Sequence, residues 1–544
     1  VRRDALILGV LAALGLALRL RGLDWGLPWA LHIDERLFVA AKAIQLERSL
    51  AGGALPDPGI SSYGILPLWL VVAARQLLLG VAAQPGPPAH GDSFAGTILL
   101  ARGISALAGT LAIVLAGLWA RRFGRATGLL AAALVAGFPA LVQAGHFGTV
   151  ESLLAAGICA GLLAAERVAE RPSASRLVAA GVTLGLALSV KAPAALLALP
   201  LAHAVLAGDR RRAAGRLAGM LASAAIVVLL LNPGMMLAGG DAGARTGEHT
   251  TLAGNLRRAY SRDFHDWTLP YAHDVPGWTE LTRLLPYAVG VVPEVLALAG
   301  LVVAVRRRAP HHVRLLLFAA PLLALLVAAS VKTVRFLVPA LPAVAVLAAE
   351  GLAALSARAA GRLRAVAAAA VAALSLLHGA AFSSIYAETD SRVAAARWLD
   401  RNVGERDIVV VEDPPGYGPP IGSPSSELPR PRLRYEILWN GYYAVHERAD
   451  EAARRSHVIK VLERADWLAL SEGHRASFTA APELRPVESA FYRHLDEGTL
   501  PFEKVAEFKS WPRLGRWILK DDGAEVLFRV FDHPRIEIWR RRGE

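Results

Sequence analysis

The stretch Ala5-Leu6-Ile7-Leu8-Gly9-Val10-Leu11-Ala12-Ala13-Leu14-Gly15-Leu16-Ala17-Leu18-Arg19-Leu20 is apolar enough to enter a bilayer, and His32-Ile33-Asp34-Glu35 follows within about fifteen residues. An acidic pair this close to a membrane helix sits at or just beyond the membrane surface. Carboxylates held there are costly unless they have a partner or a task. Further apolar segments of about 16–22 residues recur as far as Phe382, the length class of membrane helices. Of 544 residues, 54% are hydrophobic and 19% charged, against roughly 25% charged in an ordinary soluble chain. The sequence predicts a polytopic α-helical membrane domain over 1–382. From 383 to 544 the pattern turns polar, Pro-rich and mixed, which marks a second, soluble domain.

A net charge of +13 invites comparison with nucleic-acid binders. The distribution argues against that: Arg121-Arg122, Arg210-Arg211-Arg212 and Arg306-Arg307-Arg308 are short runs between apolar segments, the pattern of cytoplasmic loops. The single cysteine, Cys159, lies within an apolar run and builds neither a disulfide framework nor a thiolate metal site. The first apolar run lacks a clear small-residue cleavage site and reads as a retained helix.

Charge also orients the chain. Arg2-Arg3 keeps the N-terminus inside, so the first helix delivers Asp34 and Glu35 outside. The next strong inside marker is Arg121-Arg122-Phe123-Gly124-Arg125, yet two apolar stretches intervene, near 64–83 and 98–120. The charge rule favours one of them not crossing; the alternative, two true spans, would put His146–Glu151 on the side opposite Asp34. The weaker is 64–83, interrupted by Pro67 and Arg75, and it reads as a helix on or dipping into the outer surface. Spans then fall near 5–20, 98–120, 126–143, 150–165, 177–190, 192–207, 217–235, 286–305, 313–330, 334–355 and 363–382. About eleven spans place the basic loops inside and the domain from 383 outside.

This parity collects Asp34, Glu35, His146, Glu151, Lys191, the 255–278 segment, Lys332 and Arg335 on the outer face. Each has a bland reading beside the functional one. Asp34 caps the amphipathic helix from Arg36 to Leu50, which leaves Glu35 unexplained. Glu151 opens a helix whose dipole favours an anion; beside His146 it also suits a hydroxyl, an amine or a metal ion. Lys191 snorkels to headgroups, or binds a phosphate. Lys332 and Arg335 stand at the helix end that disfavours cations, a conflict that a bound anion removes. Asn255–Trp278, with Arg262, Asp263, His265 and Tyr271 among its charged and aromatic residues, suits a surface helix closing over a lipid-borne ligand, or a simple interfacial anchor.

Taken in order, Asp34-Glu35, Tyr63-Gly64-Ile65-Leu66-Pro67-Leu68, Arg121–Arg125, His146-Phe147-Gly148-Thr149-Val150-Glu151, Lys191, the stretch from Ser261 to Tyr271, and Arg335-Phe336-Leu337-Val338-Pro339 resemble the GT-C membrane glycosyltransferases of the protein O-mannosyltransferase and lipid A aminoarabinose-transferase type. The resemblance covers about residues 1–382. It implies a polyprenyl-phosphate-linked sugar as donor and a lipid, glycan or protein as acceptor, met in the inner or plasma membrane with an extracytoplasmic active site. It implies an inverting displacement in which Asp34 is the base, Glu151 orients the acceptor or holds a divalent cation with Asp34, and Glu35 and His146 support the two acids. Lys191 and Arg335 would bind the leaving phosphate. Members often carry Lys-Pro-Pro-Leu or Tyr-Pro-Pro-Leu where this chain has Tyr63-Gly64-Ile65-Leu66-Pro67-Leu68, so the phosphate lysine of that loop is absent here.

The region beyond 383 predicts helices at 392–402 and 447–465 and strands at 407–411, 467–470, 503–509, 525–531 and 535–541, a small α/β domain. A transporter or flippase for an anionic or lipid-linked substrate is the competing class. Transporters place ionisable groups at midplane, often in a repeated half; here the charges lie at helix ends.

Overall fold

A computed structural model describes residues 2–53, 55–56, 63–79, 92–208, 210–234, 252–262, 264, 266–412, 417–421, 433–439 and 450–543. The membrane part is mostly helical. Among the described residues, six helices are long and apolar enough to cross a membrane, and eight if each of two bent pairs counts as one span. Arg2–Leu20, Ala174–Leu188 and Ala192–Leu206 make up the difference from the eleven expected. The first carries Arg2, Arg3, Asp4 and Arg19, and the other two are short. The stretch at 64–83 forms only Leu66–Ala74 followed by a wider turn over Arg75–Leu79; residues 80–83 lie outside the described set. Its Arg75 is buried against Glu47, 3.2 Å away on the helix Ala41–Ala51.

One break in this bundle positions the site. Helices Arg125–Gly137 and Pro139–His146 meet at 58°. Pro139 has no N–H, so the carbonyl of Val135 loses its helical donor. Arg19, fully buried in the first helix, donates to Val135 O at 3.2 Å, Ala136 O at 3.3 Å and Gly15 O at 2.8 Å. The charge that interrupts the first apolar run thus supplies the hydrogen bonds that a bent helix lacks. Beyond the bend the chain turns through Phe147–Val150 into the helix Glu151–Glu170.

A second constraint sets the helix that follows Arg335. A Cβ on Gly300 would lie 1.8 Å from the Leu347 carbonyl oxygen, and one on Gly351 would lie 1.9 Å from that of Leu296. Helices Val291–Arg307 and Leu341–Leu355 therefore pack backbone to backbone through two reciprocal glycines, as small residues allow in membranes.

The C-terminal part is a five-stranded mixed sheet flanked by helices. With β1 Ile408–Val411, β2 Arg434–Ile437, β3 Trp467–Ser471, β4 Phe502–Phe508, β5 Arg513–Leu514, β6 Trp517–Ile518 and β7 Ile536–Arg541, the order is β2-β1-β3-β7-β4. The first three strands are parallel, β7 runs antiparallel to β3 and β4, and β5 pairs with β6 separately. The segment expected as a strand at 525–531 is instead a short helix, Val526–Val530. Its apolar run is buried, which hides the period, and the Glu525 carboxylate caps it by accepting from the amides of Leu527 and Phe528.

Gly300→Val tests the close crossing. Forcing a branched side chain into this contact is expected to destabilise the fold by about 2 kcal/mol or more, read as a lower midpoint of thermal unfolding in detergent. An unchanged midpoint would show that the helices can separate freely.

Candidate functional site

The acidic pair splits. Asp34 precedes the helical stretch from Glu35 but makes no side-chain cap, so capping does not account for it. Its carboxylate reaches the guanidinium of Arg335. Glu35, the next residue round the helix, points into the protein. It receives Arg102 Nε and Nη2 at 2.8 Å each and the Gly148 amide at 2.6 Å, and is fully buried. Burial alone would raise its pKa, but the Arg102 charge and hydrogen bonds and the Gly148 amide hold it below the usual carboxylate value.

Arg335 is the hub. It lies in the one-turn helix Val334–Leu337, and its side chain spends every nitrogen. Nε donates to Glu151 at 2.6 Å, Nη1 to Asp34, and Nη2 to the Tyr63 hydroxyl at 2.7 Å. Glu151, first residue of its helix, also receives Lys191 Nζ at 3.0 Å on the same oxygen. Lys191 Nζ lies 5.1 Å from the centre of the Tyr63 ring, a cation–π distance. Burial holds this ammonium below the ordinary lysine pKa, although Glu151 pulls the other way.

Tyr63 was not singled out as a site residue from sequence. Its placement follows from Gly64, where a Cβ would fall 2.1 Å from the Ser189 carbonyl oxygen. That approach lets the Gly64 amide reach Val190 O at 3.0 Å and the Leu66 amide reach Ser189 O at 3.0 Å, while the Ile65 amide reaches Asn232 at 2.8 Å. The segment is thus stapled beside Lys191. Arg102 was also missed, although a lone arginine inside the apolar stretch 98–120 is a signal of a buried partner.

Asp34, Tyr63, Lys191 and Arg335 together line a cavity of about 930 Å³. Most of its wall is apolar, including Leu37, Phe38, Tyr260, Leu322, Leu325 and Leu326, and the C-terminal part contributes Tyr417, Leu527 and Phe531. Lys42 and Gln45 are also in the wall, and a largely apolar space with cations and a hydroxyl in its lining suits a long apolar molecule with an anionic head.

The other described residues of the expected set do not line this cavity. Lys332 turns away from the cavity to Glu280 at 2.8 Å and the carbonyl of Leu326 at 3.3 Å. A carboxylate from a distant segment, not a bound anion, relieves its unfavourable helix-end position. His146 is fully buried, stacked on Tyr386 at 3.6 Å between ring centres, with Nδ1 3.2 Å from Arg19 O. Tyr271 is buried and donates to Glu525 at 2.5 Å. Arg262 is exposed and does not line the cavity. Asp263 and His265 lie outside the described residues. No group of three or more His, Cys, Asp or Glu among the described residues is arranged to hold a metal. Arg335 bridges Asp34 and Glu151.

Residues 94–236 match the family described as dolichyl-phosphate-mannose-protein mannosyltransferase. The fold is similar to that of the archaeal oligosaccharyltransferase AglB from Archaeoglobus fulgidus, solved in complex with an inhibitory peptide and a dolichol-phosphate. That pair shares 15% identity over 90% of this chain and 72% of the other, with a TM-score of 0.51. ArnT from Cupriavidus metallidurans bound to undecaprenyl phosphate aligns over 97% of each chain at 15% identity, with a TM-score of 0.46. No curated protein matches the sequence significantly. The resemblance to GT-C glycosyltransferases read from the sequence is thus met by a partial family match and a shared fold. The chain is an integral membrane protein of that architecture.

Glu35→Gln is expected to cost about 3–5 kcal/mol by leaving Arg102 buried without its counter-charge. Because the native Glu35 pKa is depressed, its contribution to stability is present above the unfolded value near 4.3 and is lost as pH falls through the native value. Melting temperature against pH should therefore fall on the acid side in the wild type, and less steeply in the variant. Equal slopes would show that Glu35 carries no such linkage.

Proposed function

We propose that the chain transfers a sugar from a polyprenyl-phosphate-linked donor to a hydroxyl or amine of a lipid, glycan or protein acceptor. The observation that carries this is the pair of cations, Arg335 and Lys191, set with Asp34 in the wall of a largely apolar cavity. Similarity to a dolichyl-phosphate-mannose mannosyltransferase family and to a structure holding a dolichol-phosphate supports the same donor class.

In this reading Arg335 and Lys191 bind the donor phosphate, with the Tyr63 hydroxyl beside them. Burial raises the Tyr63 pKa, which keeps the phenol protonated and able to donate. Arg335 turning toward phosphate loosens its hold on Asp34. The acceptor oxygen or nitrogen then attacks the anomeric carbon, its proton passes to Asp34, and the bond from sugar to phosphate breaks with its electron pair on the lipid phosphate. The leaving monophosphate gains one negative charge while Asp34 loses one. The formal charge of the site is the same before and after. Glu151 keeps Lys191 and Arg335 oriented throughout, and attack from the face opposite the leaving phosphate inverts the anomeric centre.

The same reading takes about eleven spans, a division near 383, and the site and C-terminal domain on the outer face of the cell membrane. Its support is the loop charge pattern and the joint contact of Asp34 and Glu151 with Arg335.

Purified protein incubated with polyprenyl-phosphate sugars and candidate acceptors should release polyprenyl phosphate. Asp34→Asn is expected to lower turnover by about 100-fold or more, and Arg335→Ala to lower it by a similar factor. An Asp34→Asn enzyme as fast as wild type would remove Asp34 as the base. A wild type that releases no lipid phosphate from any such donor would refute the substrate class.

A further inference from the structure

The C-terminal domain does more than cover the cavity. Glu525, 5% exposed, accepts five hydrogen bonds from three parts of the chain. From its own helix come the amides of Leu527 at 2.6 Å and Phe528 at 3.2 Å. From the outer loop comes the Tyr271 hydroxyl at 2.5 Å. From the segment leading into Arg335 come the Thr333 hydroxyl at 3.1 Å and the Val334 amide at 3.2 Å. One carboxylate thus caps two short helices, Val526–Val530 and Val334–Leu337. The second of these carries Arg335.

The flanks of Val526–Val530 hold the other walls. Phe531 stacks on His32, two residues before Asp34, at 4.6 Å between ring centres. Gln143 donates to Phe528 O at 2.8 Å and to Asp532 at 2.9 Å, and the Tyr386 hydroxyl donates to Asp532 at 3.0 Å. The carboxylate that fixes Val334 therefore belongs to a hydrogen-bonded block that also touches the segment bearing Asp34.

We infer that Glu525 is a positioning residue for the reaction: by binding Thr333 and Val334 it sets the backbone from which Arg335 spans Asp34 and Glu151, so the C-terminal domain is part of the active-site machinery. The inference rests on the proposed reaction for its catalytic consequence, but not for the contact itself. An arginine whose backbone is free to shift by about 1 Å misaims its guanidinium, a displacement that costs up to about 100-fold in rate.

The test uses the full chain in detergent or nanodiscs, as Glu525→Gln and Glu525→Asp, with two readouts. Hydrogen–deuterium exchange should report faster exchange of the peptide covering 331–337 in Glu525→Gln, by about 10-fold, with exchange in the Val291–Arg307 helix unchanged. Glu525→Asp should lie between. Unchanged exchange at 331–337, or acceleration spread over the whole chain, overturns the inference. In turnover, Glu525→Gln should lower kcat by about 10-fold to 100-fold, and combining it with Arg335→Lys should add little to the loss from Arg335→Lys alone. Losses that multiply would show that Glu525 does not act through Arg335. If the wild type turns over no polyprenyl-phosphate sugar while exchange responds as expected, the reaction class fails and the positioning contact stands.

Discussion

The guanidinium of Arg335 joins three side chains that the sequence holds far apart, Asp34, Tyr63 and Glu151, and Lys191 completes the cluster through Glu151. Two carboxylates sharing one poorly hydrated site repel one another. A delocalised cation between them offsets that repulsion. Two cations against two anions leave the cluster formally neutral, which suits a group closed in by membrane helices. The features of the fold described above converge on this arrangement. The bend at Phe138 turns the chain back toward Glu151, Gly64 docks Tyr63 beside Lys191, and Gly300 and Gly351 seat the helix that follows Arg335.

The same neutrality gives the cluster its capacity to exchange partners. An arginine satisfied by carboxylates in the resting state is already desolvated and already aimed. A phosphate that takes over its hydrogen bonds need not strip water from the cation, a cost that a hydrated lysine at the same point would carry. In the proposed reaction the carboxylate released is Asp34, which faces the cavity, rather than Glu151, which is 2% exposed and also bonded to Lys191. In that proposal, exposure and the count of cationic partners assign Asp34 as the proton acceptor and Glu151 as the orienting acid.

Much of this was legible in sequence, and the reasons are physical. Basic loops report sidedness because charge is costly to carry across a bilayer, so parity grouped Asp34, Glu151, Lys191 and Arg335 before any coordinates did. What pattern could not convey was rotation about a helix axis and partnership across long loops. Asp34 and Glu35 are neighbours of like chemistry, yet one lines the cavity and the other is consumed by Arg102. Lys332 and Arg335 share a helix start, yet Glu280 takes the first and the site takes the second. The segment 525–531 is β-branched and aromatic enough to read as a strand; the long-range bonds of Glu525 to Thr333 and Val334 help to hold it as a helix.

The contrast between the two arginine–carboxylate pairs around residues 34 and 35 bears on how buried charge should be read in membrane proteins. Arg102 and Glu35 form a bidentate pair, fully enclosed, with the second guanidinium edge satisfied by the carbonyls of Leu23 and Trp25 at 2.7 Å. All three guanidinium nitrogens are engaged there, and neither residue lines the cavity that Arg335 faces. That is the geometry of a structural lock, costly to break and unable to release a partner. Arg335 spreads its donors over two acids and a phenol, each bonded differently, and presents the assembly to a large apolar space. Such a pairing is satisfied but divisible: one bond can be exchanged while the others hold the side chain in place. An ionisable group in a membrane helix is therefore better judged by whether its partners can leave one at a time than by how deeply it is buried.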